Sequence, residues 1–401
     1  MYQVSSRISQ LIASATHLDT AGLRECTLRD IAAGVSRLSE MFTRGGSGIG
    51  TSYLEDAQLR QAYLAYYVPV NLAKVQILLS EVEPLLKGQT WKEFRVLDVG
   101  GGPGTGSLAL LDWVSSTSTP ALEALRVTVV DRSPAVLKAC TELWHGYLAQ
   151  VLAGQKLPLQ TVECNLERTF PIRVETGVDG GGFHLIVVQN VLSELYCGSS
   201  EAVVKRTALV GKLLSALAED GCLMLIEPAL RATSRALHEV RNNLLANYAC
   251  SVYSPCLHDQ TCPALARPDD WCHEERNWAR PVWIEQIDKA AGLIKDALKF
   301  SYAIIRKDGR TIVPRNEPYH RVVSELRVMK GEKRVWLCEA GGRSELGRQD
   351  KDRSASNAAF EQFHRGAIIK ISEIVRKERK GKLSTVGRIP PQATAEIIRS
   401  A

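Results

Sequence analysis

The sequence predicts an α/β protein built on a parallel, doubly wound sheet, and three observations lead there. Short apolar runs alternate with helical stretches from about residue 94 onward, which is the rhythm of strands joined by crossover helices. The first four runs end in a glycine-rich turn, Asp131, Gln189-Asn190 and Glu227-Pro228, the kinds of residue expected where strands stop at a ligand-binding edge. The 401 residues carry 45% hydrophobic and 23% charged side chains, ordinary values for a chain that buries a full core. These values exclude a disordered chain, a coiled coil and a collagen-like repeat.

Residues 1 to about 44 read as helical, with Ile8, Leu11 and Ile12 at helical spacing. Gly45-Gly46-Ser47-Gly48-Ile49-Gly50 reads as a flexible break. A second helical region spans Leu54 to Leu86, where Pro69 is expected to kink or end a helix. Its Leu59, Tyr63, Tyr66, Tyr67 and Val70 read as core packing. Strands follow at Phe94–Val99, Arg126–Val130, His184–Val188, Cys222–Ile226 and Leu298–Ile305. Helices fall at Ser107–Val114, Ala135–Leu148, Ala202–Leu217 and Leu230–Tyr248. The expected division is a helical region over 1–90 and a ligand-binding α/β domain over 91–310, with a cysteine insertion near 249–280. A β extension with a basic tail follows over 311–401.

No apolar run reaches the ~18 residues of a membrane span, and the first residues lack a secretory pattern. The expectation is a soluble intracellular protein with reduced cysteines, free as a monomer. The formal net charge is +6, and from Gly341 onward thirteen Lys or Arg face seven Asp or Glu. That local excess equals the excess of the whole chain. It is densest at Arg376, Lys377, Arg379, Lys380 and Lys382, and suits either a polyanion or a solvated helix end.

The segment Asp98-Val99-Gly100-Gly101-Gly102-Pro103-Gly104-Thr105-Gly106 holds G-x-G-x-G and no dinucleotide G-x-G-x-x-G, because the third glycine would fall on Ser107. No lysine follows as in a triphosphate loop. Asp131 ends the next strand, 25 residues beyond Gly106, where a carboxylate can accept ribose hydroxyls. Together these look like the S-adenosylmethionine site of Rossmann-like class I methyltransferases. Asp98, Gly100, Gly102, Gly104, Thr105 and Asp131 are its expected cofactor residues, with Asn165 and Gln189 as adenine contacts. No N-P-P-Y or D-P-P-Y element stands after the fourth strand, where Asn190-Val191-Leu192-Ser193-Glu194-Leu195 occurs instead. No catalytic base is identified.

Cys256, Cys262 and Cys272 lie within seventeen residues among prolines, with Cys250 upstream and Cys338 in a later strand. Thiolates at such spacing attract soft metals, and the spacing is wider than the C-x₂₋₄-C pairs of most zinc sites. It suits a cubane iron–sulfur cluster, with zinc held partly by His258 or His273 as the alternative. The Pro255-Cys256 and Thr261-Cys262 dipeptides also occur in RNA cytosine methyltransferases that attack carbon six. There they follow different central strands, and here they are nearly adjacent, so a covalent cysteine mechanism is not expected.

Ala62-Tyr63-Leu64-Ala65 with Val68-Pro69, the loop Asp98–Gly106, Val191-Leu192-Ser193-Glu194-Leu195 and Glu227-Pro228 resemble one family. So do Pro255-Cys256-x-His258 through Cys262-Pro263, Trp271-Cys272-His273, and Lys330-Gly331 followed by Leu337-Cys338 and Gly341. They resemble the methyltransferase-like proteins of the mitochondrial small ribosomal subunit and their bacterial relatives. The sequence departs from that family at Ala229, where glycine is usual, and lacks a terminal Trp-Gly-Asp, with Phe363-His364-Arg365-Gly366 in that region. The resemblance implies an S-adenosylmethionine domain and a [4Fe–4S] cluster on Cys256, Cys262, Cys272 and Cys338, with Cys250 outside the ligand set. It also implies a small-ribosomal-subunit rRNA partner, met as a methyltransferase or as an assembly factor. The location it implies is bacterial cytoplasm, or the mitochondrial matrix in a eukaryote. A small-molecule methyltransferase with structural zinc is the more distant reading.

Overall fold

The computed structural model describes residues 1–18, 24–43, 53–170, 181–379 and 381–400. The expected glycine break at Gly45–Gly50 lies outside them. In chain order the elements begin with β1 (Tyr2–Gln3), α1 (Ser6–Thr16), α2 (Glu25–Thr43) and α3 (Ala57–Ala62). A π-helical turn (Tyr63–Tyr67) leads directly into α4 (Val68–Leu86). Then come β2 (Phe94–Val99), α5 (Thr105–Thr117), β3 (Leu125–Asp131), α6 (Pro134–Val151), β4 (Leu159–Glu163) and β5 (Phe183–Gln189). Next are α7 (Ala202–Ala216), β6 (Leu217–Pro228), α8 (Arg231–Asn247), β7 (Ser251–Ser254), β8 (Glu274–Ala279), α9 (Val282–Ala291) and β9 (Ala297–Arg306). The last strands are β10 (Tyr319–Val322), β11 (Arg327–Met329), β12 (Glu332–Glu339), β13 (Gly342–Gln349), β14 (Ile368–Ile371), β15 (Val375–Arg379), β16 (Lys382–Arg388) and β17 (Ala395–Arg399).

The chain divides into two compact units, Met1–Glu227 with Arg276–Leu298, and Pro228–Glu275 with Lys299–Ala401. The cysteine segment therefore groups with the C-terminal strands.

In the first unit the strand order is β6-β5-β2-β3-β4, all parallel. The chain winds from β2 outward through β3 to β4, then crosses back to β5 and β6. The winding thus reverses between β2 and β5, and a ligand crevice is expected at such a switch point. Val96, Leu97, Val99, Val127, Val129, Ile186 and Val187 are nearly inaccessible, as parallel strands covered on both faces require. Pro69 does not break the helical region. It sits where the π-helical turn passes into α4, so the helix changes type there without ending.

In the second unit an eight-stranded sheet runs β15-β16-β13-β12-β10-β14-β17, with β11 on β12, and only the β13–β16 pair is parallel. Along β12 the two-residue period sends Val335 and Leu337 into a core with Leu346, Phe360, Phe363 and Ile369, while Cys338 takes the opposite face. The expected basic tail is instead the β15–β16 hairpin within this sheet. Several late cations are already paired: Arg343 with Asp270, Arg348 with Glu361, Lys370 with Glu317 and Arg388 with Glu332. The charge excess is consequently less available to a polyanion than its count implies. No helix among the described residues is long and apolar enough to cross a membrane.

Candidate cofactor site and cysteine cluster

After β2 the backbone turns through left-handed conformations at Gly100 (φ +60°), Gly102 (φ +56°) and Gly104 (φ +81°) before α5 begins at Thr105. Asp98 lies beneath this loop and is 2% exposed. Its Oδ2 accepts from both the backbone N–H and the hydroxyl of Ser107, each at 2.8 Å. Burial pushes its pKa up to about 6. Asp98 is therefore placed as a brace that joins the strand end to the first turn of α5. Asp131 Oδ2 accepts from Gly102 N–H at 3.0 Å, and Oδ1 from Ser133 N–H at 3.0 Å. The end of β3 is thus tied to the glycine loop, and burial raises the Asp131 carboxyl pKa.

Four polar atoms around this edge are buried without a hydrogen-bond partner: Thr105 Oγ1, Ser133 Oγ, Asn190 Oδ1 and Glu227 Oε2. Buried polar groups are normally satisfied. Four orphans at the carboxyl ends of neighbouring strands and at the helix starts beside them are what a polar ligand would complete. Asn165 accepts from Glu167 N–H at 3.0 Å, closing a turn after β4. Gln189 lies on the other side of β2 and donates through Nε2 to Asn71 O at 2.9 Å. The two expected adenine contacts are therefore not brought together: Asn165 stands on the Asp131 side and Gln189 on the α4 side.

The α4 side also holds groups that sequence reading did not single out. Lys74, 7% exposed, donates to Asn71 Oδ1 at 2.9 Å, and burial lowers its amine to about 7. Glu227, 1% exposed, accepts from Leu192 N–H at 2.9 Å, and burial raises its carboxyl to about 7. Glu194, hydrogen-bonded to Tyr53, is raised to about 7 by burial, with Glu227 and Asp131 adding to the shift against Arg132. The π-helical turn at Tyr63–Tyr67 puts Tyr63 within electrostatic reach of Glu194 and Asp131. Such turns recur at functional sites, but no apolar period announces one. The signals in the sequence that pointed this way were the Glu227-Pro228 strand end and the Val191–Leu195 segment.

In the second unit Cys256, Cys262, Cys272 and Cys338 form one group. Cys262 is pushed up to about 12, first by burial and then by the Cys256 and Cys272 sulfurs. Cys338 is raised by burial and by the other three thiols, and Cys272 to about 11 by burial and by Cys256. Cys250 is shifted by burial and Asp259, with no cysteine among its causes. Arginines hold the loops that carry the thiols. Arg315 donates to Cys256 O at 3.0 Å and Arg241 to His258 O at 2.6 Å. Arg343 grips both carboxylate oxygens of Asp270 at 2.5 and 2.6 Å. Arg343 opposes the rise at Cys272 and Cys338, and Arg241 does so at Cys262. His258 Nε2 is 3.8 Å from Cys338 Sγ. Among the described residues no three His, Cys, Asp or Glu side chains converge on a single metal ion.

A family profile described as "Mitochondrial small ribosomal subunit Rsm22" matches residues 57–355, about three quarters of the chain. The chain belongs to the Rsm22 family. The matched span takes in the glycine loop, Asp131, Glu227 and all four grouped cysteines, and stops before β14–β17. No curated protein sequence matches. Among solved structures, the chain is similar to mitomycin 7-O-methyltransferase MmcR, at 15% identity over 68% of this chain and 67% of that one, with a TM-score of 0.36. It is also similar to the plantazolicin methyltransferase BpumL in complex with SAH, at 9% identity over 67% and 97%, TM-score 0.37. A third is a putative class I S-adenosylmethionine-dependent methyltransferase from Listeria monocytogenes, at 9% identity over 78% and 90%, TM-score 0.39.

Proposed function

We propose that this Rsm22-family chain is an S-adenosylmethionine-dependent methyltransferase that acts on small-subunit ribosomal RNA and carries a [4Fe–4S] cluster. The observation that carries the reading is the glycine turn tied to Asp131, bordered by four orphaned polar atoms at a topological switch point. When bound, S-adenosylmethionine supplies an electrophilic methyl group. The chain's own part is to hold the ribose at Asp131, to accept the ligand's polar atoms at Thr105, Ser133 and Asn190, and to keep water out with buried strand ends. The family description supports a partner in the small ribosomal subunit and a mitochondrial location, and the rRNA target is our extension of that partner.

The cluster assignment rests on the chemistry of the thiol group. A cubane spreads its thiolates over the corners of a larger body. Four mutually interacting thiols with arginines nearby suit such an anionic group, and Cys256, Cys262, Cys272 and Cys338 would hold it. Anaerobically purified protein is expected to contain about four iron and four sulfide per chain. Cys256→Ser should lose most of both, whereas Cys250→Ser should keep them. One zinc and no sulfide would replace the cluster by a structural zinc.

Tritiated methyl incorporation into purified small subunits or precursor rRNA tests the activity. Asp131→Ala is expected to weaken S-adenosylmethionine binding at least tenfold by calorimetry, since a carboxylate–ribose contact contributes about 1.5–3 kcal/mol. Unchanged affinity would move the ribose elsewhere. Salt-sensitive rRNA binding without incorporation would favour a non-catalytic assembly factor, a reading that the missing D/N-P-P-Y element supports.

A further inference from the structure

We propose that Glu194 is the proton acceptor at the methyl-transfer site, positioned by Tyr53, and that the acceptor substrate is an N–H or O–H nucleophile. The inference rests on the methyltransferase reading above.

Glu194 lies just beyond β5, on the acceptor side of the switch point, in a turn that is held on every side. Asn190 N–H donates to Ile226 O at 2.8 Å, and Glu194 N–H to Val191 O at 3.0 Å. Glu227 receives Leu192 N–H, and Arg206 donates to Leu195 O at 3.0 and 2.8 Å. A turn fixed in this way keeps its carboxyl in one place, as a proton acceptor requires. The groups within electrostatic reach of Glu194 are Arg132 and Asp131 from the end of β3, Glu227 from β6, and Tyr53 and Tyr63 from the segment leading into α4. Asp131 is the ribose residue proposed above, so Glu194 and the ribose site belong to one edge. Glu227 Oε2 and Asn190 Oδ1, buried and unpartnered on either side of this turn, independently mark a ligand position there.

The chemistry balances without a further reagent. The acceptor's lone pair forms the new bond to the methyl carbon, and the sulfur–carbon bond breaks with its electron pair going to sulfur. The acceptor's proton passes to a Glu194 carboxylate oxygen and leaves to solvent after product release. The Tyr53 hydroxyl favours the ionised carboxylate by hydrogen bonding to it. A carboxyl held at about 7 is matched to accepting a proton near neutral pH.

The first measurement needs no turnover. A sulfonium beside Glu194 favours its carboxylate, whereas the uncharged thioether of S-adenosylhomocysteine does not. Calorimetry from pH 6 to 8.5 should therefore show the affinity ratio of S-adenosylmethionine to S-adenosylhomocysteine rising with pH. In Glu194→Gln the slope should fall, any residue of it belonging to the neighbouring Glu227. A flat ratio in the wild type, or an unchanged slope in Glu194→Gln, overturns the placement. The second measurement is methyl incorporation. Glu194→Gln should lower kcat on the order of 100-fold, with KM little changed. Tyr53→Phe should move the acidic limb of the pH–rate profile upward, which a purely structural tyrosine would not do. Full activity in Glu194→Gln overturns the proton-acceptor role and leaves the methyltransferase reading intact. No incorporation by wild-type protein that binds S-adenosylmethionine overturns the enzyme reading, and the proton-acceptor role with it.

Discussion

Lowering the pH from 7.5 to 5 is expected to weaken the second unit while the first holds or gains. His238 and His258, 3% and 4% exposed, are each held down to about 4 from 6.5, in both cases chiefly by burial. A histidine depressed in the folded state stabilises it above 6.5, and that contribution is lost as pH falls toward 4. At pH 5 each protonation withheld costs about 2 kcal/mol relative to pH 8. The two act in the same direction. His273, also held near 4 by burial, acts in the same direction.

The first unit carries the opposite sign. Asp98, Glu194 and Glu227 are raised to about 6, 7 and 7 by burial. Raised carboxyls contribute stability at low pH that is lost as pH rises through those values, and half-buried His184 only partly offsets this. Hydrogen exchange corrected for intrinsic rates should show protection falling at pH 5 across β10–β14 but not across β2, β3 and β5. Equal protection of β10–β14 at both pH values would mean that these histidines do not titrate as their burial requires.

How much of this could be read from the sequence depends on which physical signal each feature leaves. The parallel sheet was legible because strands buried on both faces are continuous apolar runs, and those at Phe94–Val99, Leu125–Asp131 and Phe183–Gln189 match expectation within a residue or two. The glycine loop was legible because positive φ restricts residue choice. The individual strands after Gly341, expected only as a β extension, were not, since β13 and β16 carry charges whose partners lie elsewhere in the fold: Arg343 pairs with Asp270 in a loop, Arg348 with Glu361 in a short turn and Arg388 with Glu332 of β12, and a charge count does not reveal such pairing. Nor were Lys74, Glu194 and Tyr53 legible as a group. They come from three separate segments: Glu194 lies within electrostatic reach of Tyr53 and Glu227, and Lys74 within reach of Glu227, relations that the winding of the sheet creates. For Gln189 the position at a strand end was visible in the sequence, but its side of the switch point was not.

Replacing Gly104 by alanine is expected to abolish S-adenosylmethionine binding, and two comparisons separate the causes. A Cβ at Gly104 would lie 2.5 Å from Cys140 Sγ while holding φ at +81°. At Gly100 it would lie 2.4 Å from a methyl of Val191 at φ +60°. Gly154 also sits at a positive φ, +87°, yet nothing stands within 4 Å of its Cβ position. Gly154→Ala therefore shows the conformational cost alone, about 1–2 kcal/mol, and should leave cofactor affinity unchanged. Gly104→Ala adds a collision with α6, since Cys140 is buried and cannot swing away. The glycine loop must then move off the helix, carrying with it the Gly102 amide that holds Asp131. Cofactor affinity should fall more than 100-fold, equivalent to about 2.7 kcal/mol. Gly104→Ala combined with Cys140→Ala removes the obstructing sulfur and should recover part of the affinity. Recovery would assign the loss to the loop's contact with α6, whereas none would assign it to backbone strain at position 104 itself.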